Sequence, residues 1–387
     1  MSKRIAHICL ACFYVDGMGY QENILPKKHH QQGNVVEIIT SQYCFTSDYK
    51  PLTRPTGRHT NENGIDVVVL PYHRGNKKVS SILHYVDGLY HELMAFKPDI
   101  IFCHGLSFLS INDLCKYCKS FDVKLYCDCH ADYFNTPTKG FKYYLLNKIF
   151  WPSVAKKIQK YCTKAWGVTP ARCEYLKTVY RFPEDKVDLL VMGGDEDYIN
   201  LKDKPLLQKS IRESYKIPNN SIVIASGGKI NKGKNIVELM EAIGNIDGYY
   251  LIVFGSLSDD IKEEFNQKLS QYNNIIYLGW ANQEQVNNYL LSADMAVFPG
   301  THSVLWEQTV ACGTPAIYKK WDMMTHVDVG GNCVFIDQCD PLSIRSAIVR
   351  LTNDKDRFDK MKSIAINKGA TLFSYDNIAL RAIESNI

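Results

Sequence analysis

What most constrains the fold of this chain is an alternation that runs through it twice. Short apolar, β-branched runs are separated by helical patterns. The first series of runs is Ile5–Cys12, Val35–Ser41, Asp66–Tyr72, Asp99–Cys103, Val123–Cys127, Ala165–Val168 and Val187–Met192. The second is Ser221–Ala225, Tyr249–Phe254, Asn274–Leu278, Met295–Phe298, Pro315–Tyr318 and Asn332–Ile336. Most are apolar at successive positions, as strands covered on both faces of a parallel sheet must be. Patterns such as Val79–Phe96 supply the intervening helices. Strand–helix alternation of this kind specifies a doubly wound α/β domain. A length of 387 residues leaves room for two of them, at ~100–200 residues each. The expected architecture is two Rossmann-like domains facing each other across a cleft. The first takes residues 1–199, a polar link 200–220, and the second 221–370. A last helix in 371–387 packs back towards the first domain. Asp195-Glu-Asp197 reads as the opening of the link.

Composition excludes several alternatives. A formal charge of +4 over this length is a weak excess and gives no ground for a nucleic-acid partner. No apolar run approaches the ~18 residues that a membrane helix needs. The start, Met-Ser-Lys-Arg and then Ile5–Cys12, faintly resembles a signal peptide. Its apolar piece is short, contains His7 and lacks a small-residue cleavage site, so it reads as a first buried strand. The 13 cysteines are scattered through strands and helices, as free thiols are in a reducing cytoplasm. Cys115 and Cys118 stand at helical spacing with no second pair, which favours packing over metal binding.

Several motifs of the first half lie where a strand ends, the edge at which open α/β sheets bind ligands. Asp16-Gly-Met-Gly-Tyr-Gln-Glu22 follows the first run. Gly17 and Gly19 would let the backbone approach a bound group, but Glu22 occupies the third-glycine position of a dinucleotide fingerprint. Pro26 is expected to kink or shorten the helix that follows. His104 and His130 each end a strand at the same edge. The stretch Lys139–Lys164 holds seven lysines and no acidic residue, interleaved with Phe141, Tyr143, Tyr144, Phe150 and Trp151. A basic, aromatic stretch is what an anionic membrane surface attracts; a helix pair with its aromatics in the core has the same pattern.

In the second half, Ser226-Gly-Gly-Lys-Ile-Asn-Lys-Gly-Lys-Asn235 brings Lys229, Lys232 and Lys234 to a helix entrance marked by Asn235 and Glu238. Three ammonium groups there are best reconciled by a phosphate-like guest or by solvent. Further on, Phe298-Pro-Gly-Thr-His-Ser-Val-Leu-Trp-Glu-Gln-Thr-Val-Ala-Cys-Gly-Thr-Pro315 reads as a strand end, a polar loop, one helix and a stop. Gly313 suits a left-handed helix terminus and Pro315 forbids continuation. Glu307 stands one turn below Ser303 on the same face.

These motifs resemble those of retaining glycosyltransferases of the GT-B type, in the large family four (glycosyl transferases group 1). That family opens its second domain with G-R-x-x-x-x-K-N or a variant, whose arginine and lysine hold the donor diphosphate. Gly228-Lys-Ile-Asn-Lys-Gly-Lys-Asn235 is similar, with Lys229 at the arginine position and Lys234 at the lysine. Ala311-Cys-Gly-Thr-Pro315 equals the common ending of the family's donor-site helix. Leu278-Gly279-Trp280 resembles its nucleobase loop, and Gly17, Gly19 and His130 resemble its first-domain loop and sugar-side histidine. The chain departs from the family at its two glutamates separated by seven residues. Gln308 stands at the second position, Glu307 one place earlier, and Gly300 at the first.

The resemblance implies a cytoplasmic enzyme, with two rival readings: a hydrolysing nucleotide-sugar epimerase, or an inactive scaffold of the same fold. It implies transfer of a sugar from a nucleotide-sugar to a saccharide or polyprenyl-linked acceptor, in cell-surface polysaccharide or glycoconjugate assembly. The enzyme would work at the inner membrane face, without metal or other cofactor. Lys229 and Lys234 would neutralise the leaving diphosphate, with Gly228 beside it. His302, Ser303, Val304 and Leu305 would offer donors at the helix entrance. Glu307 and Gln308 would bind donor hydroxyls, Trp280 would meet the base, and His130 would contact the transferred sugar.

Overall fold

The computed structural model describes residues 2–45, 51–133, 136 and 140–383. Lys139, the first lysine of the basic stretch, lies outside them. The chain divides into two compact units, Met1–Val191 with Ile378–Ile387, and Met192–Asn377. The division therefore falls ahead of the expected 199/200 boundary. Residues expected to form a link instead carry the helix Lys204–Ser214. Lys204 Nζ donates to Thr314 Oγ1 at 2.8 Å, and the Arg212 guanidinium to Asp294 Oδ2 at 2.7 Å, so this helix is an integral part of the second unit.

Unit 1 is built on strands β1 (Arg4–Cys9), β2 (Val35–Ser41), β3 (Tyr43–Phe45), β4 (Pro51–Thr53), β5 (Gly57–Thr60), β6 (Asp66–Leu70), β7 (Ile100–Cys103), β8 (Lys124–Cys129), β9 (Cys162–Gly167) and β10 (Val187–Leu189). The main sheet has the order β10-β9-β8-β7-β1-β2-β6-β5. It is parallel except at β5, and β3 and β4 form a separate hairpin. The chain leaves β1 in one direction and returns to β7 on its other side, so the order reverses between them. Ile5, Ile8, Ile101, Phe102, Leu125 and Tyr126 are completely buried. Each such side chain contributes ~1.5–3 kcal/mol when removed from water. That is why these runs are strands of an inner sheet.

Two elements depart from expectation. The pattern Val79–Phe96 folds as two helices, Lys77–Ile82 and Leu89–Phe96. His84 and Gly88 between them adopt left-handed backbone, with φ of 47° and 93°, which ends one helix and starts the next at a new angle. The helix Gln21–Gln31 continues through Pro26 and is not shortened there. At the far end of the chain, the helix Tyr375–Ile383 contributes Ala379 and Ala382 to unit 1, where Trp166 Nε1 donates to Ala382 O at 3.0 Å.

Unit 2 contains β11 (Ile222–Gly227), β12 (Tyr249–Phe254), β13 (Ile275–Tyr277), β14 (Met295–Phe298), β15 (Ala316–Lys319) and β16 (Cys333–Ile336), in the order β13-β12-β11-β14-β15-β16. All are parallel. This is the order of a dinucleotide-type Rossmann sheet, with its reversal between β11 and β14. Helices Ile236–Ile243 and Pro341–Asn353 bury Ile236, Leu239, Met240, Ile344 and Ile348 against it.

Candidate functional site

Each unit gathers its expected residues at the carboxyl edge of its sheet, beside the reversal point.

In unit 2, a glycine follows the end of each of four strands within two residues: Gly228, Gly255, Gly279 and Gly300. Gly228, Gly255 and Gly279 have φ of 110°, 121° and 72°. A Cβ on Gly255 would lie 1.9 Å from Gly228 O, and one on Gly300 would lie 2.4 Å from Gly233 O. Only glycine lets these backbones approach so closely. The loops after β11 and β14 are laced together: Thr301 N donates to Gly233 O at 2.9 Å, and Asn235 Nδ2 to Pro299 O at 2.9 Å. Asn235 was expected to cap the helix Ile236–Ile243. Instead it takes left-handed backbone, φ 51°, makes no side-chain cap and ties the two loops.

The lysines of this loop divide by role. Lys234 Nζ donates to Thr301 O at 2.7 Å and to His302 O at 3.3 Å, and burial lowers its pKa to about 8. It is thus a brace of the polar loop as well as a cation. Lys229 and Lys232 are exposed. Trp280, just beyond Gly279, is 71 % exposed, a large apolar ring at the same edge.

The helix at this edge is Leu305–Ala311, shorter than the motif allows and entered through Val304. Ser303 and Gln308 are half-buried and Val304 exposed. Glu307 departs most from expectation. It was expected to bind hydroxyls of a donor, yet it is 0 % exposed. Its Oε1 accepts from His302 Nε2 and from His326 Nε2, both at 2.8 Å. Burial alone would raise this carboxyl; the two histidines outweigh it and hold it well below the carboxylate range. Glu307 therefore acts on any ligand through His302, whose ring also meets Trp306 edge-on. His326 comes from a separate segment and had no signature in the sequence. Ligand atoms of His302, Glu307 and His326 lie within 4.8 Å of one another. Two imidazoles and a carboxylate suit a transition metal, but two N–H···O hydrogen bonds of ordinary length account for this arrangement.

In unit 1, a pocket of about 490 Å³ is lined by Ala11, Cys12, Phe13, Tyr20, Glu22 and His130, among others. Gly17 lies in the turn before it, with φ 75°, and its N–H donates to Glu62 Oε1 at 3.1 Å; Gly19 is exposed. His130 Nε2 stands 3.4 Å from Asp128 Oδ2. Burial pushes the His130 imidazole down, and the Asp128 carboxylate outweighs this and raises it. His104, the other expected histidine, is fully buried behind the pocket on Asp128.

The basic stretch folds as helix Phe141–Tyr144, a wider π turn Leu145–Phe150 and helix Trp151–Ala155. It divides by face: Trp151, Val154 and Ala155 enter the core, while Phe141, Tyr143, Tyr144 and Ile149 are exposed. Among the described residues no helix is long and apolar enough to cross a membrane.

Comparison with known proteins agrees with this geometry. Residues 208–368 match the family described as Glycosyl transferases group 1. MJ1607 of Methanocaldococcus jannaschii, an uncharacterized glycosyltransferase, is 23 % identical over 220 residues. That match takes in 54 % of this chain and 56 % of the relative, so the chain spans about half the length of the curated relative it matches. A glycosyltransferase from Rickettsia africae ESF-5 superposes with a TM-score of 0.68 at 16 % identity, over 98 % of this chain and 96 % of that one. Anabaena Alr3699/HepE, solved in complex with UDP, also gives 0.68, at 12 % identity over 98 % of both chains. WaaG, a glycosyltransferase involved in lipopolysaccharide biosynthesis, gives 0.63 at 13 % identity, over 99 % of this chain and 100 % of that one. The superpositions show a GT-B fold, and the stretch similar to the group 1 glycosyltransferases lies in the second unit.

Proposed function

We propose that this protein transfers a sugar from a nucleotide-sugar to a saccharide or lipid-linked saccharide, with retention at the anomeric carbon. One observation carries the reading. In unit 2 a glycine stands just beyond each of β11, β12, β13 and β14 at the carboxyl edge of the sheet, and the same edge carries the exposed Lys229 and the exposed Trp280. Glycine ends admit a diphosphate close to the backbone, a lysine neutralises it, and an exposed indole offers a stacking face for a base. The neighbour that holds UDP shares this fold. Family resemblance supports retention, in which the leaving diphosphate stays beside the acceptor hydroxyl and helps to deprotonate it. Positioning and charge stabilisation then do the catalytic work. Lys229 and Lys234 carry the charge, and no metal is needed.

His130 contacts the transferred sugar in this reading, and the pocket of unit 1 takes the acceptor. The exposed Phe141, Tyr143, Tyr144 and Ile149, with lysines of the stretch Lys139–Lys164, would rest on anionic lipid at the inner face of a membrane, at ~1 kcal/mol per lysine. Vesicle sedimentation with anionic and neutral lipid at two salt concentrations tests this: equal pelleting throughout, or none, counts against it.

The test of function is a panel of nucleotide-sugars screened by thermal shift, then by turnover with and without acceptor. The reading predicts stabilisation by one donor class and a new glycoside only when acceptor is present. Sugar release or epimerisation without acceptor would make the protein a hydrolysing epimerase. Binding without turnover on any acceptor would make it a scaffold.

A further inference from the structure

Three histidines with no part in the proposed transfer lie end to end in the core of unit 1. His104 Nδ1 stands 3.0 Å from Asp128 Oδ2, and His104 Nε2 stands 2.9 Å from His7 Nδ1. His7 Nε2 is 2.9 Å from His29 Nδ1, and His29 Nε2 is 2.8 Å from Ala379 O. All four side chains are 0 % exposed.

The two ends of this file fix its proton count. One end is a main-chain carbonyl, which only accepts, and the other is a carboxyl oxygen. Each of the four contacts needs one hydrogen between its two atoms. Three neutral imidazoles bring one N–H each, which fills three contacts and leaves the fourth as two acceptors face to face. A fourth proton must therefore be bound, either on the carboxyl group or on a ring.

The surroundings of Asp128 favour the ring. Oδ1 accepts from the Gly105 N–H at 2.8 Å, while Oδ2 faces both His104 and His130. One main-chain donor and two imidazoles, each able to carry a proton, converge on one carboxyl group, which is the environment of an ionised acid. Burial raises this carboxyl, and His130 and His104 outweigh burial and hold it well below the usual range. His104 is the only ring of the file in contact with it. His7 and His29 stand further in, and burial lowers both, His29 to about 4.

We propose that unit 1 stores one proton in its core, as an imidazolium at His104 paired with ionised Asp128, and that this pair is the positioning device for His130. The proton count stands by itself; only the role of His130 rests on the proposed function. With His104 charged, every donor points the same way: His104 to His7, His7 to His29, His29 to Ala379 O. Asp128 stays ionised at neutral pH without an unpaired charge in the core. It can then draw His130 Nε2–H inward and fix the ring that lines the pocket. Other groups facing this pair are Glu22 from the helix Gln21–Gln31, which raises His130, and Arg172 from the helix Pro170–Thr178, which lowers it. Arg172 is itself bound to Asp132. The thiols of Cys9, Cys12 and Cys103 are pushed well up by burial and stay neutral, and Lys3 lowers His29.

The test is nitrogen NMR of the full chain with labelled histidine, free of donor and acceptor. Long-range proton–nitrogen correlations distinguish imidazolium from each neutral tautomer. The expected spectrum at neutral pH has His7 and His29 as neutral Nε2–H tautomers and His104 as an imidazolium. Three neutral rings in the wild-type file would overturn the proposal. Asp128→Asn sharpens it, because the amide oxygen keeps the Gly105 bond while the amide N–H donates to His104 Nδ1. That variant closes the file with three ring protons, so the imidazolium signal should vanish with the other tautomers unchanged. Its survival would also overturn the proposal. In the same variant His130 should titrate at lower pH than in the wild type, and an unmoved titration removes the positioning role. No step uses a sugar donor, so a negative transfer assay leaves these results standing, and the reverse holds.

Discussion

Both units hold a fully buried carboxylate gripped by two histidines, Asp128 in one and Glu307 in the other, and the two knots differ in charge. In unit 1 the hydrogen bonds continue inward through two more rings and end on an acceptor, so the count demands an extra proton and the knot is a neutral pair. In unit 2 both rings donate from Nε2 to the same oxygen, so neutral rings suffice. Glu307 Oε2 and His326 Nδ1 are left buried without a hydrogen bond. That knot needs no extra proton, and it lies in the unit that carries Lys229, Lys232 and Lys234. The lesson is that residue types do not set the charge of a buried cluster. The terminal partners of its hydrogen bonds do.

The comparison can be broken most forcefully by deleting the carboxylates. Glu307→Ala strands the N–H donors of His302 and His326, at about 1–3 kcal/mol for each donor left unpaired. Asp128→Ala strands the Gly105 N–H and one ring nitrogen, but its file can drop the extra proton, so one donor is left unmatched rather than two and the cost should be less. Denaturant midpoints at one pH decide, and equal losses would erase the distinction. Next in size is the lysine pair of unit 2. Lys229→Ala should lower transfer by ~10²–10³ with unchanged stability. Lys234→Ala should lower both, because its ammonium also braces the loop Thr301–His302; calorimetric melts beside turnover separate the two effects.

A pH titration sharpens the contrast further. The His29 value is depressed to about 4 from an ordinary 6.5, so the unfolded chain takes up its proton first as pH falls. The stabilisation, on the order of 3 kcal/mol, is present above pH ~6.5 and is lost as pH falls towards ~4. The Glu307 carboxyl is depressed below its ordinary 4.5, so its contribution is lost only below that value. Unit 1 should therefore unfold at higher pH than unit 2, seen as two steps in an acid titration followed by circular dichroism; one step, or the reverse order, contradicts this. Smallest in stability are the isosteric swaps. Glu307→Gln places a buried amide N–H where no acceptor stands and costs about 1–3 kcal/mol. Asp128→Asn has His104 as acceptor and costs less than about 1 kcal/mol. Glu307→Gln should also lose far more turnover than Gln308→Glu, whose side chain is half-buried at the helix surface; steady-state kinetics with one donor would show it.

The fold was legible because its signal is local. Val35–Ser41, Tyr249–Phe254 and Met295–Phe298 are strands over the very residues their apolar runs mark. The exposed strands Pro51–Thr53 and Gly57–Thr60 were missed, since neither has an apolar face to betray it. The site was legible in part. Gly228 and Gly300 stand at strand ends that sequence can find, whereas the atoms they must avoid belong to a different loop. His7 was visible only as an oddity in an apolar run, and His29 carried no signature at all. Their meaning rests on His104, 97 positions away from His7, and on Ala379, 350 away from His29. Glu307 was found, with the wrong company. A helix spacing reveals which residues share a face, but not that His326 closes over that face from another segment.

The central claim is that the glycine edge of unit 2 holds the diphosphate of a nucleotide-sugar. Calorimetric titration of nucleoside diphosphates into the wild type and Lys229→Ala tests it most directly. One nucleoside diphosphate should bind the wild type, with the corresponding nucleoside binding far more weakly, and its affinity should fall at least tenfold in Lys229→Ala, a loss of about 1.4 kcal/mol or more. Equal affinity for diphosphate and nucleoside, or an affinity untouched by Lys229→Ala, would contradict it.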